Sequence, residues 1–390
     1  MEIRRTYKYR LYTSKREKYL HQQIDVAGII WNHALAVQRR HYRLTGKYIS
    51  KFRLITHIGK MRRTARFGHW QLVGSQAVQE VVERLDKAYM RFFAYIKGEL
   101  GIKTGPPRFK KVKKYKSFTL KQAGWKLFAG NRIRLNGRNY KFVLSRPING
   151  KIKTVTVKRD AGRLFVCLSV IEEVNLAVEA SAGQIGGFDF GLKTFLTDDK
   201  GSAYQSPEFL KANLSEIARL NRQLARKQKG SGNWKKAKRQ LALAHDRVAN
   251  ERRDAHFKLA HQLCDEYGAM GFETLNLRGM KKLWGRKMSD LGFSQFMLIL
   301  EHVTCMRGKQ VVKIGQWEPT SQTCSCCGQR QSIELRERVF RCEGCGLEIG
   351  RDHNAARNIR REAIALLEGV GASTPSLEGV RQSNVTASLA

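Results

Sequence analysis

Apolar and basic side chains alternate from the first residues of the chain. Ile3-Arg4-Arg5-Thr6-Tyr7-Lys8-Tyr9-Arg10-Leu11-Tyr12 reads as a half-buried strand with a cationic face. The period then lengthens. Leu20, Ile24, Ala27, Trp31 and Leu35 recur at spacings of three and four and so share one face of a helix. Ser14-Lys15-Arg16-Glu17, just ahead of them, has the form of a capping box. A second helix is expected over about residues 50–65. A third follows Ser75, with Val78, Val81, Val82, Leu85, Tyr89, Phe92 and Ile96 as its apolar stripe.

Gly105-Pro106-Pro107 closes this helical stretch, and residues 116–174 return to short strand-like runs between glycine turns. Residues 153–158 and 163–170, joined through Asp160-Ala161-Gly162, read as a hairpin. Residues 1–13 are too few to fold alone. They are expected to join residues 105–180 in a β-barrel, with the helices of residues 14–104 inserted as a separate region.

After a small-residue linker at 179–183 the texture changes. Residues 184–193 form an apolar strand holding one acid, Asp189. A second strand, 194–197, leads into Asp198-Asp199-Lys200-Gly201, where both aspartates are expected to bond to their own turn. Residues 213–267 read as a basic helical hairpin broken at 229–232, a surface suited to a polyphosphate backbone. Glu273 ends a further short apolar strand; a helix at 291–307 and a strand at 310–315 follow. The chain thus divides into a first core segment (181–317), a cysteine-rich ribbon (318–349), a last core helix (350–368) and a tail (369–390) whose small residues predict disorder. The fold class is α+β and multidomain.

Chemistry concentrates in two patterns. Cys324 and Cys327 form one C-x-x-C pair, and Cys342 and Cys345 form another, with Gly328 and Gly346 directly after them. Two such knuckles a short loop apart have the spacing of a closed four-thiolate zinc site. Cys326 is either a substitute ligand or a bystander thiol, and the standard gap between Cys324 and Cys327 favours the bystander. The second pattern is three distant acids. An aspartate among Ile, Phe and Leu is costly unless its charge is compensated. Asp189 and Glu273 lie in apolar strands, and Asp352 opens the last helix, where it could equally serve as a cap. A sheet can bring acids separated by about eighty residues together, and three carboxylates suit two Mg²⁺ ions able to cleave a phosphodiester.

The charge balance points to the substrate class. Lys plus Arg number 73 against 33 acids, a net +40 on a 390-residue chain with 42% hydrophobic residues. Such a field suits a polyanion, nucleic acid first among them. Arg4, Arg5, Lys8 and Arg10 on the first strand are candidate contacts. So are Arg108, Lys110, Lys111, Lys113 and Lys114, interleaved with Phe109 and Tyr115, whose rings can stack on bases. No apolar core follows the basic first residues, and no run approaches a membrane span, so a protein of the cell interior is expected. Cys167, Cys264 and Cys305 sit in apolar settings and read as core thiols.

Residues 184–367 resemble the RuvC-type, RNase H-like nuclease core of the transposon-encoded TnpB proteins, relatives of type V CRISPR effectors. The resemblance is carried by FDFGLKTF around Asp189, FETLNLRGM around Glu273, TSQTCSCCG with RCEGCG, and RDHNAARNI around Asp352. YKYRLYTS near the start and GPPRFK later extend it over nearly the whole chain. It implies catalytic carboxylates at Asp189, Glu273 and Asp352 and zinc ligands at Cys324, Cys327, Cys342 and Cys345. It also implies a wedge-like barrel, a recognition domain in the inserted helices of residues 14–104, and a transposon-end RNA that guides cleavage of matching double-stranded DNA beside a short adjacent motif, with Mg²⁺ or Mn²⁺ at the acids. Two positions depart from the family pattern: Cys326, and Gly350, where an acid often stands. Two other classes remain open: a guided DNA binder that does not cut, and an RNase H-like strand-transfer enzyme.

Overall fold

The computed structural model describes residues 2–173, 184–334 and 336–370, which form two compact units on either side of residue 174. The linker at 179–183 and residues 371–390 of the tail lie outside the described residues.

The first unit contains β1 (Glu2–Arg10), α1 (Glu17–Thr45), α2 (Lys51–Met61), α3 (Ser75–Ile96), β2 (Ser117–Leu120), β3 (Trp125–Phe128), β4 (Arg132–Leu135), β5 (Arg138–Lys141), β6 (Lys151–Asp160) and β7 (Arg163–Glu173). The opening strand does join the later sheet: β1 pairs antiparallel with β7, and β7 with β6 through the expected hairpin. The ladder does not close into a barrel. Its order is β1-β7-β6-β2, while β3, β4 and β5 form a separate three-stranded sheet. The two sheets meet at one corner, through a Leu11–Phe142 bridge and the Tyr12 N–H donating to the Lys141 carbonyl. The α1 stripe of Leu20, Ile24, Ala27, Trp31 and Leu35 is buried as its spacing required.

Three local expectations fail in this unit. The capping box does not form: α1 begins after Arg16, and Ser14 contributes only its carbonyl, to the Glu17 N–H. The helix after Ser50 is shorter than its pattern, ending at Met61, and residues Ala65–Leu72 tighten into 3₁₀ turns. Ile96 is 63% exposed, because α3 ends there and its last turn runs past the core.

The second unit contains β8 (Ile185–Phe190), β9 (Leu196–Asp198), β10 (Ala203–Tyr204), α4 (Phe209–Ala212), α5 (Leu214–Ala225), α6 (Gly232–Glu266), β11 (Ala269–Glu273), α7 (Leu277–Leu291), α8 (Phe293–Met306), β12 (Gln310–Ile314), β13 (Val339–Arg341), β14 (Glu348–Gly350) and α9 (Arg351–Val370). A five-stranded sheet runs in the order β10-β9-β8-β11-β12. Its three consecutive central-to-edge strands β8, β11 and β12 are parallel, and β9 and β10 continue it antiparallel. Side chains alternate across it. Phe188, Phe190, Met270 and Phe272 enter the core that α6 and α8 cover. Gly187, Asp189, Gly271 and Glu273, one residue out of phase, belong to the opposite face. That face is covered by α9: a methyl group at Gly187 would lie 2.1 Å from the Ala356 carbonyl oxygen, and one at Gly271 would lie 2.6 Å from the Ala363 β-carbon. No helix among the described residues is long and apolar enough to cross a membrane.

Candidate metal centres

The cysteine cluster is built from two knuckles. Gly328 and Gly346 have φ of 81° and 73°, a backbone that side chains with a β-carbon rarely adopt, and each lets the chain turn back directly after its C-x-x-C pair. The Gly328 N–H donates to the Cys324 carbonyl and the Gly346 N–H to the Cys342 carbonyl, both at 3.0 Å. The sulfurs of Cys324, Cys327, Cys342 and Cys345 all lie within 4.8 Å of one another. Cys324 and Cys345 are 3.6 Å apart, and Cys327 and Cys342 3.5 Å. A tetrahedral zinc with bonds of about 2.3 Å places its sulfurs about 3.8 Å apart, so the four donors fit that ion. Amide N–H groups also point at the sulfurs: Cys326 donates to Cys324 Sγ and Cys345 to Cys342 Sγ. Donation from Cys345 is the main reason the Cys342 thiol is pulled down to about 6, while Cys327 and Cys345 in the same cluster are shifted up. Cys326 contributes its amide and stands outside the cluster.

The three acids are assembled by the sheet. Phe272 pairs with Phe188 across parallel β11 and β8, so Glu273 and Asp189 follow on adjacent strands. Both share the phase of the glycines that face α9. Asp352 stands in the first turn of that helix, and its Oδ2 lies 3.7 Å from where a methyl group on Gly191 would be. Desolvation raises the Asp189 carboxyl well above its ordinary range, and repulsion from Asp352 and then Glu273 adds to it, against the Arg351 cation. Desolvation raises Glu273 as well. Arg351 pairs with Asp352 at 3.4 Å. The carboxylates therefore sense one another, but they are more open than the sulfurs. Among the described residues the cysteines are the group set tightly enough to ligate an ion as it stands.

Several residues besides the three acids support this face. Asp198 bonds to its own turn as expected, accepting from the Lys200 and Ser202 amides. Asp199 does not. It is buried, its carboxylate accepts the Gly187 N–H at 3.0 Å, and its second oxygen faces Arg360 Nε at 3.6 Å. It thus ties β9 to β8 and to α9, and its backbone carbonyl lies 3.0 Å from His353 Nε2. Asn354 and Asn358, four apart on α9 and fully buried, dock the ribbon. Asn354 accepts the Ser325 N–H and donates to the Thr323 carbonyl; Asn358 donates to the carbonyls of Thr320 and Thr323. The first knuckle is thereby fixed to the turn of α9 that carries Asp352. Two asparagines one helical turn apart in an alanine-rich stripe were the available sign.

The candidate nucleic-acid contacts divide in two. Arg5 pairs with Glu172, and Lys8 lies over the Phe165 ring and faces Asp160. Lys110 is folded onto Trp31, its ammonium 3.6 Å from the ring, and Lys113 pairs with Asp25. These four have partners within the fold, although Lys110 and Lys113 are still exposed. Arg4, Arg10, Arg108, Lys111 and Lys114 are exposed as well.

Three family models match the chain: "Probable transposase" over residues 167–283, "Cas12f1-like, TNB domain" over 293–359, and "Helix-turn-helix domain" over 1–47. The last description names a motif that the described residues of that segment do not form, since they are one strand and one long helix. A curated Streptomyces pristinaespiralis protein named "Putative RNA-guided DNA endonuclease" is 28% identical over 376 residues, covering 93% of this chain and 90% of its own. An Escherichia coli K12 protein with that name and the suffix InsQ is 28% identical over 358 residues, 87% of each chain. The fold resembles the protein in a solved Cas12f1-sgRNA-target DNA complex, with a TM-score of 0.56 at 13% identity over 92% of this chain and 99% of that one. With the motifs around Asp189, Glu273, Asp352 and the four cysteines in place, the chain is similar to transposon-encoded proteins of the TnpB type.

Proposed function

We propose that this protein is an RNA-guided DNA endonuclease of a transposon, which binds a transposon-end guide RNA and cuts complementary double-stranded DNA beside a short adjacent motif. The observation that carries the reading is the convergence of Asp189, Glu273 and Asp352 at one edge of the parallel strands. The sheet order, with α9 across the face that bears the acids, supports an RNase H-like (RuvC) core. On this reading residues 1–13 and 105–180 form the wedge-like domain, 14–104 the helical recognition domain, 181–317 and 350–368 the nuclease core, and 318–349 the zinc ribbon.

The three carboxylates would hold Mg²⁺ or Mn²⁺, and the four thiolates Zn²⁺. Divalent ions at the acids supply activation of the attacking water and stabilisation of the departing 3′ oxygen. The chain's own part is placement. Asp189 and Glu273 are fixed on neighbouring strands and Asp352 on a helix pinned by Asp199 and Arg360, so three charges that repel are held together for cations to relieve. The exposed cations supply sequence-independent contacts to phosphates, while pairing with the guide reads the target.

The test is purification with bound RNA, sequencing of that RNA, and incubation with a plasmid carrying the matching target. One defined RNA species and cuts at the matching site in Mg²⁺ are expected. Bound target that stays intact would favour a guided binder, and joined rather than cut strands a transferase. Random RNA with site-independent cutting would remove guiding.

A further inference from the structure

Trp317 is the most exposed large apolar side chain among the described residues, with 87% of its surface open. It lies three residues beyond Ile314, the end of β12, and Ile314 pairs with Glu273 across the parallel β11–β12 ladder. Three residues reach at most about 11 Å, so the Trp317 backbone stays near the end of the sheet at which Glu273 lies.

The loop that carries it is anchored at both ends. The Glu318 N–H donates to the Gly315 carbonyl, and the Thr320 N–H to the Glu318 carbonyl at 2.8 Å. The Glu318 side chain lies back over Gly315. Thr320 is buried, and its carbonyl accepts from Asn358 on α9. A loop pinned in this way cannot fold a large apolar ring back into the core, and leaving an indole in water forgoes the stabilisation that burial gives. On the nuclease reading the acids at that end of the sheet act on a phosphodiester, and the chain carries a net charge of +40. A flat ring in that place offers a face to a nucleobase. Bases in a duplex already stack on their neighbours, whereas an unpaired base has a face free.

We infer that Trp317 is a stacking platform for an unpaired base of the DNA strand entering the acid site. It is a positioning residue: it touches no reacting atom and sets the register of the strand along the carboxylates. This inference rests on the nuclease reading above.

The experiment uses the purified protein–RNA complex with Trp317→Ala, Trp317→Phe and Trp317→Leu. Single-stranded DNA oligonucleotides carrying 2-aminopurine at successive positions are bound without added divalent metal, and quenching of the probe reports stacking whether or not the strand is cut. Cleavage is measured in Mg²⁺ on targets with an abasic nucleotide at each position. Quenching should appear at one position in the parent protein and vanish in Trp317→Ala. KM should rise roughly tenfold in that variant with a smaller change in kcat, and phenylalanine should restore most of the loss where leucine does not. An abasic nucleotide at the quenched position should cost the parent protein a similar factor and cost Trp317→Ala nothing further. Unchanged quenching and KM in Trp317→Ala, or rescue by leucine equal to rescue by phenylalanine, overturns the stacking role. Quenching in a parent protein that cuts no DNA would uphold stacking and overturn the nuclease reading.

Discussion

The cysteine cluster and the carboxylate group sit on the same unit and are built in opposite ways. The four sulfurs come from 22 consecutive residues, and local turns bring them within 4.8 Å of one another. The acids are spread over more than 160 residues, from Asp189 to Asp352, and meet only because two parallel strands and one helix place them together. Local geometry delivers a finished cage whose donors already match a tetrahedral ion. Long-range topology delivers repelling charges, with Asp189 pushed toward its protonated form by burial and by its two neighbours. A structural site gains from closure and local assembly, because its ion has only to stay. A reactive site needs open positions for substrate and water, which a looser group from rigid, separate elements provides.

The comparison predicts opposite effects of removing charge. Asp189→Asn should lower guided cleavage by at least about a thousandfold while RNA binding survives, since the acids act as one unit. The same change should stabilise the metal-free fold. The sign follows from the raised carboxyl: its charged form is disfavoured in the fold, so stability is lost as pH rises through the folded-state pKa. An amide removes that loss, and Tm without added divalent metal should rise at neutral pH. A lower Tm would mean that the acids are held by favourable partners rather than against repulsion. Cys342→Ser should do the reverse. Zinc, expected at about one per chain, should be lost, and the ribbon should become protease-sensitive. Cleavage should also drop, by about a hundredfold, because Asn354 and Asn358 lose the carbonyls and amide that tie the ribbon to α9. Cys326→Ser should change neither zinc content nor activity; a loss of zinc there would make it a ligand.

What the chain revealed follows the same division. The ribbon was legible because its information is local, and so were the acidic strands, since a lone acid in an apolar run stands out. The supporting contacts were hidden. Nothing at Asp199 announces that its partners are Gly187 and Arg360, because that depends on which strand lies beside which. The kinked helix α7 was missed because Gly279 and Gly285 interrupt its stripe and Trp284 leaves helical geometry. The open pairing of β1, β7, β6 and β2 against a separate β3–β5 sheet could not be told from a barrel, since the strand patterns are alike and only the ladder differs.

Gly187→Ala separates the two sites. The added methyl would lie 2.1 Å from the Ala356 carbonyl oxygen and 2.4 Å from the Arg360 nitrogen, both backbone atoms, so α9 has to move off β8. That movement should cost roughly 1–3 kcal/mol of stability. It should also shift Asp352 relative to Asp189, lowering cleavage about tenfold or more, while zinc stays bound because the knuckles are locally closed. Wild-type cleavage with reduced zinc would show that the tight face of β8 serves the ribbon rather than the acids.

An effect confined to acid pH, and small near neutrality, tests the far side of the sheet. His256 on α6 is 3% exposed, stacks on Phe195 and meets the edge of Phe296, and its Nε2 lies 3.1 Å from the Leu291 carbonyl oxygen. Burial, with the Arg252 cation next, holds its pKa down to about 4. A histidine depressed in the fold contributes stability that is present above its ordinary pKa of about 6.5 and is lost as pH falls through that window toward 4. The loss can reach about 3 kcal/mol by the lower end. His256→Gln keeps a donor for the Leu291 carbonyl and cannot titrate. Its acid unfolding should therefore be shallower than that of the parent between pH 6.5 and 4, with stability near pH 7.5 little changed. Zinc retention over the same range should follow thiol protonation instead and be the same in both proteins. If the two acid limbs of the stability curve coincide, His256 is not what couples the aromatic core beneath the carboxylates to pH.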